Sequence, residues 1–287
     1  MPPLSSSCSS TVVTVSRSRE FTSRTAFARA SRAHNAWCRL SITTSGNGKR
    51  DRRGGRTFIM SSAPVSEGGL TSEADANGFP ALAVFDLDAC LWDQEMFQLR
   101  ELVDRENPVI GPLEGGDGVV GARSGNAIIR LHEGALEALR RYYNGDYPGM
   151  RVAAASSADT PLAVRIGRSA LDLLEVVPGV TVREVLGIGW PEDFEGNLQI
   201  GRTPPLSSNK AATHFPILRR ECSVPFDKMM FFDDCNWGDH CGAVARGCTE
   251  KESGLGPVTV RTPHGLGTAD WNRGLEEYRK RFAKKKN

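Results

Sequence analysis

The sequence predicts an α/β fold with a parallel sheet that helices cover on both faces. Short apolar runs at 81–85, 151–155 and 228–232 are typical of buried strands, and segments with helical spacing separate them. Strands that alternate with helices favour parallel pairing. Each run ends in residues that can carry chemistry, namely Asp86, Ser156 and Asp233. Ligands bind at this carboxyl edge in open α/β sheets, so the same observation locates a site.

The other regular elements follow in chain order. Apolar residues at helical spacing predict helices over 132–143, 161–174, 210–220, 237–246 and 269–282. Pro161 is acceptable in the first turn of its helix, with Asp159 as the N-cap, whereas Pro216 is expected to kink or restart the helix that contains it. Two further strands are predicted over 182–188 and 257–260.

Two stretches are predicted to be irregular. Residues 93–127 contain six glycines between 111 and 125, and a connection of this length and composition is expected to form a flap over the site. Residues 191–208, which include the pair Pro204-Pro205, are predicted to be a loop.

Charge divides the chain into two parts. Residues 1–60 hold eleven lysines and arginines against Glu20 and Asp51, a net charge of +9, whereas the remainder holds 25 basic and 32 acidic residues, a net charge of −7. An acidic body argues against nucleic acid or an anionic membrane as a partner. No apolar run approaches the roughly 18 residues of a transmembrane helix.

The basic segment 1–60 is rich in Ser, Thr, Arg and Ala. Dispersed arginines, few acids and the lack of an apolar core of about 7 to 15 residues favour an organellar transit peptide, and therefore a chloroplast or mitochondrial location. The alternatives are a disordered basic tail on a cytoplasmic protein, or translation from Met60. Enrichment in Gly and Ser predicts a linker over 61–78, which leaves 79–287 as the folded domain.

The seven cysteines form no metal or disulfide pattern. Their count is odd and no Cys-x-x-Cys occurs, which argues against a disulfide framework and a structural zinc site. Cys235, His240, Cys241 and Cys248 are close in sequence, but their spacing matches no usual zinc motif. We expect free thiols in a reducing compartment.

Two carboxylates, Asp86 and Asp88, stand at the end of the first strand. Residues two apart on an extended chain share a face, so both can address one site. Two like charges are costly to bury together unless a cation lies between them or they share a proton. An Asp-x-Asp at a strand end is more often a turn or capping pair, so a metal-assisted site needs partners elsewhere in the chain.

The chain supplies such partners. Asp233 and Asp234 end the third strand, Ser156 ends the second, and Lys210 opens the helix between them. Carboxylates suit Mg²⁺, and a lysine with a hydroxyl group suits phosphoryl oxygens. A phosphate monoester carries about two negative charges near neutral pH, which a metal and a lysine offset when a carboxylate attacks. The set therefore predicts Mg²⁺-dependent chemistry on phosphate.

Four stretches resemble the motifs of the haloacid dehalogenase superfamily, and more narrowly those of the magnesium-dependent phosphatase-1 family. They are Ala-Val-Phe-Asp-Leu-Asp at 83–88 with Leu91-Trp92, Ala-Ala-Ala-Ser at 153–156, Lys210 with Thr213-His214-Phe215, and Met-Phe-Phe-Asp-Asp at 230–234. The resemblance covers roughly residues 81–284. It implies a Rossmann-like three-layer fold, and the short gaps between the motifs leave no room for a large cap domain.

The resemblance also implies catalytic roles. Asp86 attacks phosphorus and becomes an aspartyl phosphate, while Asp88 protonates the leaving oxygen and then activates water. Ser156, Ser157 and Lys210 bind the phosphoryl group, although the subfamily commonly has arginine where Ser157 stands.

The implied metal site is built from acids. Asp86, the backbone carbonyl of Asp88, and one of Asp233 and Asp234 hold Mg²⁺, with Asp234 favoured as the ligand and Asp233 as its support. Cys90 stands where the family usually has threonine, a packing position that tolerates cysteine. We interpret Trp92 and Phe97 as packing residues or flap anchors, while the resemblance leaves a role in stacking on the substrate open. We interpret His132 and His214 as structural.

The predicted function is Mg²⁺-dependent hydrolysis of phosphate monoesters, either a phosphotyrosine protein or a small metabolite such as a sugar phosphate. One alternative is a protein serine/threonine phosphatase of the same superfamily, against which the Asp233-Asp234 pair argues, since those enzymes more often have Asp-Asn. The other is a non-catalytic phosphate-binding module on this fold, against which the complete set of acids and lysine argues.

Overall fold

The computed structural model describes residues 69–283; the predicted transit peptide, residues 1–60, and the first part of the predicted linker lie outside them. The strands are β1 (Leu82–Phe85), β2 (Val103–Leu113), β3 (Gly116–Ser124), β4 (Ala127–Ile129), β5 (Arg151–Ser156), β6 (Glu175–Val177), β7 (Val180–Thr181), β8 (Leu198–Ile200), β9 (Met229–Asp233) and β10 (Val258–Arg261). The helices are α1 (Gly69–Asn77), α2 (Glu133–Tyr143), α3 (Pro161–Leu171), α4 (Val182–Gly187), α5 (His214–Glu221), α6 (His240–Gly247) and α7 (Thr268–Ala283). Two 3₁₀ turns span Met96–Gln98 and Phe226–Lys228.

The central sheet has five parallel strands in the order β10-β9-β1-β5-β8. β1 lies in the middle, with Leu82 opposite both Arg151 and Met229. All four residues of β1 and all five of β9 are buried, as expected for strands covered on both faces. The predicted α/β fold with a parallel sheet is confirmed.

Two apolar cores lie on opposite faces of this sheet. Alternate residues of a strand face opposite sides, so Phe85 joins one core and Val84 the other. On the first face Trp271 of α7 stacks on Phe85 and Phe232, with ring centroids 5.9 and 5.3 Å away, and α2, α3 and α4 complete the layer. On the second face α5 and α6 pack. The result is the three-layer arrangement that the sequence predicts.

The prediction of a strand over 182–188 is wrong, because α4 occupies these positions. The valines suggested a strand, but Thr181 begins the segment as an N-cap. Its hydroxyl accepts a hydrogen bond from the backbone N–H of Glu184, whose carboxylate accepts one from the N–H of Thr181. This capping box satisfies two N–H groups that the first turn would otherwise leave unpaired.

The prediction of an irregular flap over 93–127 is also wrong. Residues 103–129 form a three-stranded antiparallel sheet in the order β2-β3-β4, in which a tight turn at Glu114 and Gly115 joins the long strands and Gly116 begins β3. Both glycines have positive φ, which glycine adopts without strain. The sheet packs beside β6, where the Glu175 carboxylate accepts a hydrogen bond from the Val119 N–H at 3.1 Å. It is the one insert between β1 and α2, and among the described residues no large cap domain is present.

The predicted loop over 191–208 contains β8, the edge strand of the central sheet. Leu198 pairs with Ala154 and Ile200 with Ser156. The strand has only three residues, too few to produce a recognisable alternation of apolar and polar positions.

Within the predicted linker 61–78, residues Gly69–Asn77 form helix α1. Ala74 is fully buried, and Asp75 forms an ion pair with Lys228 at 2.6 Å. Two further boundaries differ from the prediction: Thr160 rather than Asp159 caps α3, and α5 begins at His214, so that Pro216 lies in its first turn and Lys210 in the preceding turn. None of the helices in the described part of the chain is both long and apolar enough to cross a bilayer.

Candidate active site

The predicted site residues meet at the carboxyl edge of the central sheet. Asp86 directly follows β1 and is buried, and its backbone N–H donates to the Phe232 carbonyl at 2.9 Å. Ser156 and Asp233 are the last residues of the neighbouring strands β5 and β9. Their position follows from parallel pairing, which brings the ends of all three strands to one side of the sheet.

Lys210 connects two of the acids. Its ammonium Nζ lies 2.7 Å from Oδ1 of Asp86 and 2.6 Å from Oδ2 of Asp233, and the residue is only 1% exposed. Burial alone would lower the pKa of Lys210, but the two carboxylates outweigh it and raise that pKa above its ordinary value. Lys210 is therefore a fixed positive charge at the floor of the site.

The two acids after β9 have different surroundings. Burial opposes the charge of Asp233, but Lys210 holds the pKa of this carboxyl below its ordinary value, and its second oxygen accepts a hydrogen bond from the Cys235 N–H at 2.8 Å. Asp234 accepts one hydrogen bond, from the Asn236 N–H at 2.8 Å on Oδ2, and burial raises its pKa. Oδ1 of Asp234 has no hydrogen-bond partner among residues 69–283.

Three carboxylates, those of Asp86, Asp233 and Asp234, each offer an oxygen within 4.8 Å of the others. Among residues 69–283, Lys210 is the one residue that forms ion pairs with this group, so three buried acids face one such cation. Burial raises the pKa of Asp86 well above its ordinary value, as expected where negative charge is in excess. Hard oxygen ligands with surplus negative charge fit a divalent cation such as Mg²⁺. The cysteines Cys235, Cys241 and Cys248 are buried free thiols outside this group.

Asp88 has its own hydrogen bonds and does not join the carboxylate group. Its side-chain oxygens accept hydrogen bonds from the Trp92 indole N–H at 3.2 Å and from the Met96 backbone N–H at 3.1 Å. Burial raises the pKa of Asp88 to about 7. A carboxyl that titrates near neutral pH can both donate and accept a proton under cellular conditions. Trp92 is fully buried, which confirms its interpretation as a packing residue.

His214 fixes the end of β5. Its Nε2 lies 3.1 Å from the carbonyl oxygen of Ser156, which can only accept, so this nitrogen carries the hydrogen. The other ring nitrogen, Nδ1, lies 3.1 Å from the Thr213 hydroxyl. Burial lowers the pKa of His214 to about 4, so the ring is neutral at pH 7. The histidine orients the backbone at Ser156, in agreement with the structural role predicted for it.

A cavity of about 650 Å³ opens above these groups. It is lined by Asp86, Asp88, Ser156, Ser157 and Asp234 among the predicted site residues, and also by Glu95, Phe97, Ala158, Asp159, Arg202, Ser208, Asn209, Trp237, Asp239, His240 and Ala243. No residue of the β2-β3-β4 sheet, all of which is described, lines it, so the mouth is formed by other loops.

Several lining residues have no signal in the sequence. Arg202 and Asn209 lie in connections without periodicity, and Trp237, predicted to open the helix over 237–246, lies before α6; only the folded chain brings the three residues to the same cavity. Phe97, which we interpreted as a packing residue or flap anchor, also lines the cavity. A search of the sequence for aromatic residues within a few positions of a motif would have found Trp237, three residues after Asp234.

Comparison with known families agrees with this geometry. Residues 78–281 match the acid phosphatase family, and because the match covers more than two thirds of the chain, the protein belongs to this haloacid dehalogenase-like family of phosphatases. The match supports a phosphatase, and it does not single out the magnesium-dependent phosphatase-1 group. No curated protein matches the chain significantly.

Proposed function

We propose that the protein is an Mg²⁺-dependent phosphatase of the magnesium-dependent phosphatase-1 type, which hydrolyses phosphate monoesters through an aspartyl phosphate on Asp86. The observation that carries the proposal is the position of Asp86. It lies on the floor of a 650 Å³ cavity, within 2.7 Å of the Lys210 ammonium and beside the Asp234 carboxylate. Membership of a phosphatase family supports the same reaction class.

Mg²⁺ would be held by Asp86, Asp234 and the backbone carbonyl of Asp88. Asp234 is the better side-chain ligand of the two neighbouring acids, because Lys210 and the Cys235 N–H already occupy both oxygens of Asp233. Asp233 instead fixes Lys210. When bound, the cation supplies positive charge that offsets the phosphoryl oxygens and the attacking carboxylate.

The first chemical step forms the aspartyl phosphate. Lys210 engages Oδ1 of Asp86, which leaves Oδ2 to attack phosphorus. The bond from phosphorus to the leaving oxygen breaks, and protonated Asp88 donates its proton to that oxygen. A pKa of about 7 makes this proton available near neutral pH. Lys210 and the hydroxyl groups of Ser156 and Ser157 bind the phosphoryl oxygens.

The second step releases phosphate. Asp88, now a carboxylate, takes a proton from a water molecule that attacks phosphorus. The bond between phosphorus and Asp86 breaks, inorganic phosphate leaves, and both acids return to their starting states. The hydrogen bonds from Trp92 and Met96 hold the Asp88 carboxylate in one orientation through both steps.

The test is phosphate release by the full chain with Mg²⁺ across aryl, sugar and peptidyl phosphates. Asp86→Asn should lower kcat at least about 1,000-fold, because it removes the nucleophile. Asp117→Asn, the same change at an exposed position of β3, is the matched control and should leave activity intact. If the wild type binds phosphate analogues and hydrolyses none of the panel, the protein is a phosphate-binding module. Turnover restricted to phosphoserine peptides would instead favour a protein serine/threonine phosphatase.

We also propose that residues 1–60 direct the protein to a chloroplast or mitochondrion. Their basic, acid-poor composition supports this. A fluorescent fusion to residues 1–60 tests the proposal by imaging; a diffuse cytosolic signal would contradict it.

A further inference from the structure

The side chain of Trp237 is exposed at the mouth of the active-site cavity. It is 72% exposed, the highest fraction among the large hydrophobic residues of the described part of the chain, and it lines the cavity. An indole left in water is costly, so a tryptophan held in this position at the mouth indicates a surface used for binding.

The position of the indole is fixed by two contacts. Its N–H donates to the Glu95 carboxylate at 2.8 Å, and its ring meets the Phe97 ring edge to face, with centroids 5.7 Å apart and planes at 88°. Both contacts come from the segment whose Met96 N–H is bonded to Asp88. Two aromatic rings held at a right angle form a rigid apolar wall, which loses little entropy when a ligand binds.

This wall lies beside the groups that would carry the reaction. Trp237 follows Asp234 by three residues, and Phe97 follows Met96, the residue that donates to Asp88. A phosphoryl group on the cavity floor would therefore direct the organic part of its ester past the two rings.

We propose that Phe97 and Trp237 form the leaving-group subsite and select phosphate esters whose leaving group is aromatic. The inference rests on the proposed function for the position of the phosphoryl group. A planar ring can stack on Trp237 or meet Phe97 edge on, whereas a hydroxyl-rich sugar would lose water at this wall without gaining hydrogen bonds.

The charge at the mouth supports the same selection. Three carboxylates line it beyond the site acids, those of Glu95, Asp159 and Asp239. The basic groups that line it are Arg202 and His240, whose pKa burial lowers, and Arg246 pairs with Asp239 at 3.1 Å. This surplus of negative charge disfavours leaving groups that carry a second phosphate and tolerates an uncharged ring.

The experiment measures binding of two phosphonates, which are not hydrolysed, to the full chain with Mg²⁺ by titration calorimetry. Benzylphosphonate carries the ring and methylphosphonate lacks it. Trp237→Ala should weaken benzylphosphonate about 3- to 10-fold and methylphosphonate less than about twofold. Trp237→Phe should recover part of the loss. Leu102→Ala, at another exposed apolar residue that does not line the cavity, is the matched control.

Equal weakening of both phosphonates by Trp237→Ala, no weakening of either, or no binding of benzylphosphonate to the wild type would each overturn the inference. A parallel assay compares kcat/KM for phenyl phosphate and propyl phosphate, and Trp237→Ala should lower the aryl to alkyl ratio. Comparison of free phosphotyrosine with a phosphotyrosine peptide then shows whether the aromatic leaving group belongs to a small molecule or to a protein. If benzylphosphonate binds through its ring but no ester is hydrolysed, the proposed function is contradicted, whereas the subsite is still supported.

Discussion

The Nζ atom of Lys210 lies 2.7 Å from Oδ1 of Asp86, both side chains are buried, and Asp86 lines the cavity. The pair has two consequences. It offsets part of the cost of burying the Asp86 carboxyl group, and it engages one of the two oxygens of that group. Lys210 also contacts Asp233, so the same cation stabilises a second buried carboxylate.

Replacement of Lys210 by methionine should destabilise the protein. It leaves Asp86 and Asp233 buried without their cation, and removal of one partner of a buried ion pair costs about 3 to 5 kcal/mol. Urea denaturation without divalent cations should show this loss in the free energy of unfolding. Lys280→Met, at an exposed lysine that pairs with Glu276, is the control and should change it by less than about 1 kcal/mol. An unchanged free energy of unfolding in Lys210→Met would contradict the role given to the pair.

The pH dependence of turnover should report Asp88. Burial raises its pKa to about 7, so the carboxyl is protonated below that pH and loses its proton as the pH rises through it. For an alkyl phosphate, whose leaving oxygen needs a proton, kcat should fall above about pH 7. Asp88→Asn should lower kcat by about 10² to 10⁴-fold and remove this alkaline limb.

The leaving group provides the control for this prediction. A 4-nitrophenyl leaving group departs without protonation. Asp88→Asn should therefore lower the rate of phosphoenzyme formation from 4-nitrophenyl phosphate much less than the rate from an alkyl phosphate. Equal losses for both esters would show that Asp88 does not protonate the leaving oxygen.

Binding of Mg²⁺ should stabilise the folded protein through Asp234. A ligand that binds the native state at 100 times its Kd adds about 2.7 kcal/mol to the free energy of unfolding. Thermal denaturation with increasing Mg²⁺ should show a rise in Tm that Asp234→Asn largely abolishes. Asp117→Asn, at an exposed position of β3, should retain the full rise, and so should Asp88→Asn, which removes the proton carrier but keeps the proposed metal ligands.

The variant Asp233→Asn tests whether Asp233 holds Lys210 in place or binds Mg²⁺ directly. Both oxygens of Asp233 are hydrogen-bonded, so its loss should lower Tm even without Mg²⁺. If Asp233→Asn rather than Asp234→Asn removed the Mg²⁺ response, the two assignments would be exchanged.

His214 should matter for folding and for the position of Ser156. His214→Ala removes the hydrogen bond to the Ser156 carbonyl and leaves a cavity, with an expected loss of about 2 to 4 kcal/mol in urea denaturation. His214→Gln keeps a donor and should recover part of that loss of stability. For the same reason its KM should lie closer to the wild-type value than the KM of His214→Ala. Because the pKa of His214 is about 4 in the folded protein and about 6.5 in an unfolded chain, the free energy of unfolding should fall as the pH drops from about 7 towards 4, and His214→Gln should lose this pH dependence. A His214-dependent gain of stability as the pH falls through this range would contradict the neutral ring.

The sequence predicts the middle of the fold and the floor of the site. β1, β5 and β9 are apolar runs that end in polar residues. This pattern shows that each segment is a strand, that the strand is buried, and which of its ends carries the site. Lys210 has no such pattern, since it lies in a turn before α5; its place between the second and third strands suggested it, and the resemblance of its surroundings to a known motif supported that assignment. The roles of these residues remain predictions that the experiments above test.

What the sequence does not predict has physical causes. β8 has three residues and depends on pairing with β5, and the glycines of β2 and β3 interrupt the apolar pattern of a hairpin. α4 was predicted as a strand because its valines outweighed the capping box at Thr181. Trp237 reaches the cavity only through tertiary contacts with Glu95 and Phe97, which no local pattern encodes.

Identification of the phosphorylated residue during turnover tests the central claim most directly. The full chain is mixed with an aryl phosphate and Mg²⁺, quenched in acid within one turnover and reduced with borohydride, which converts an aspartyl phosphate to homoserine. Peptide mass spectrometry should place homoserine at position 86 in the wild type and in no peptide of Asp86→Asn. Phosphate on Ser156, or turnover without any covalent phosphoenzyme, would contradict the account.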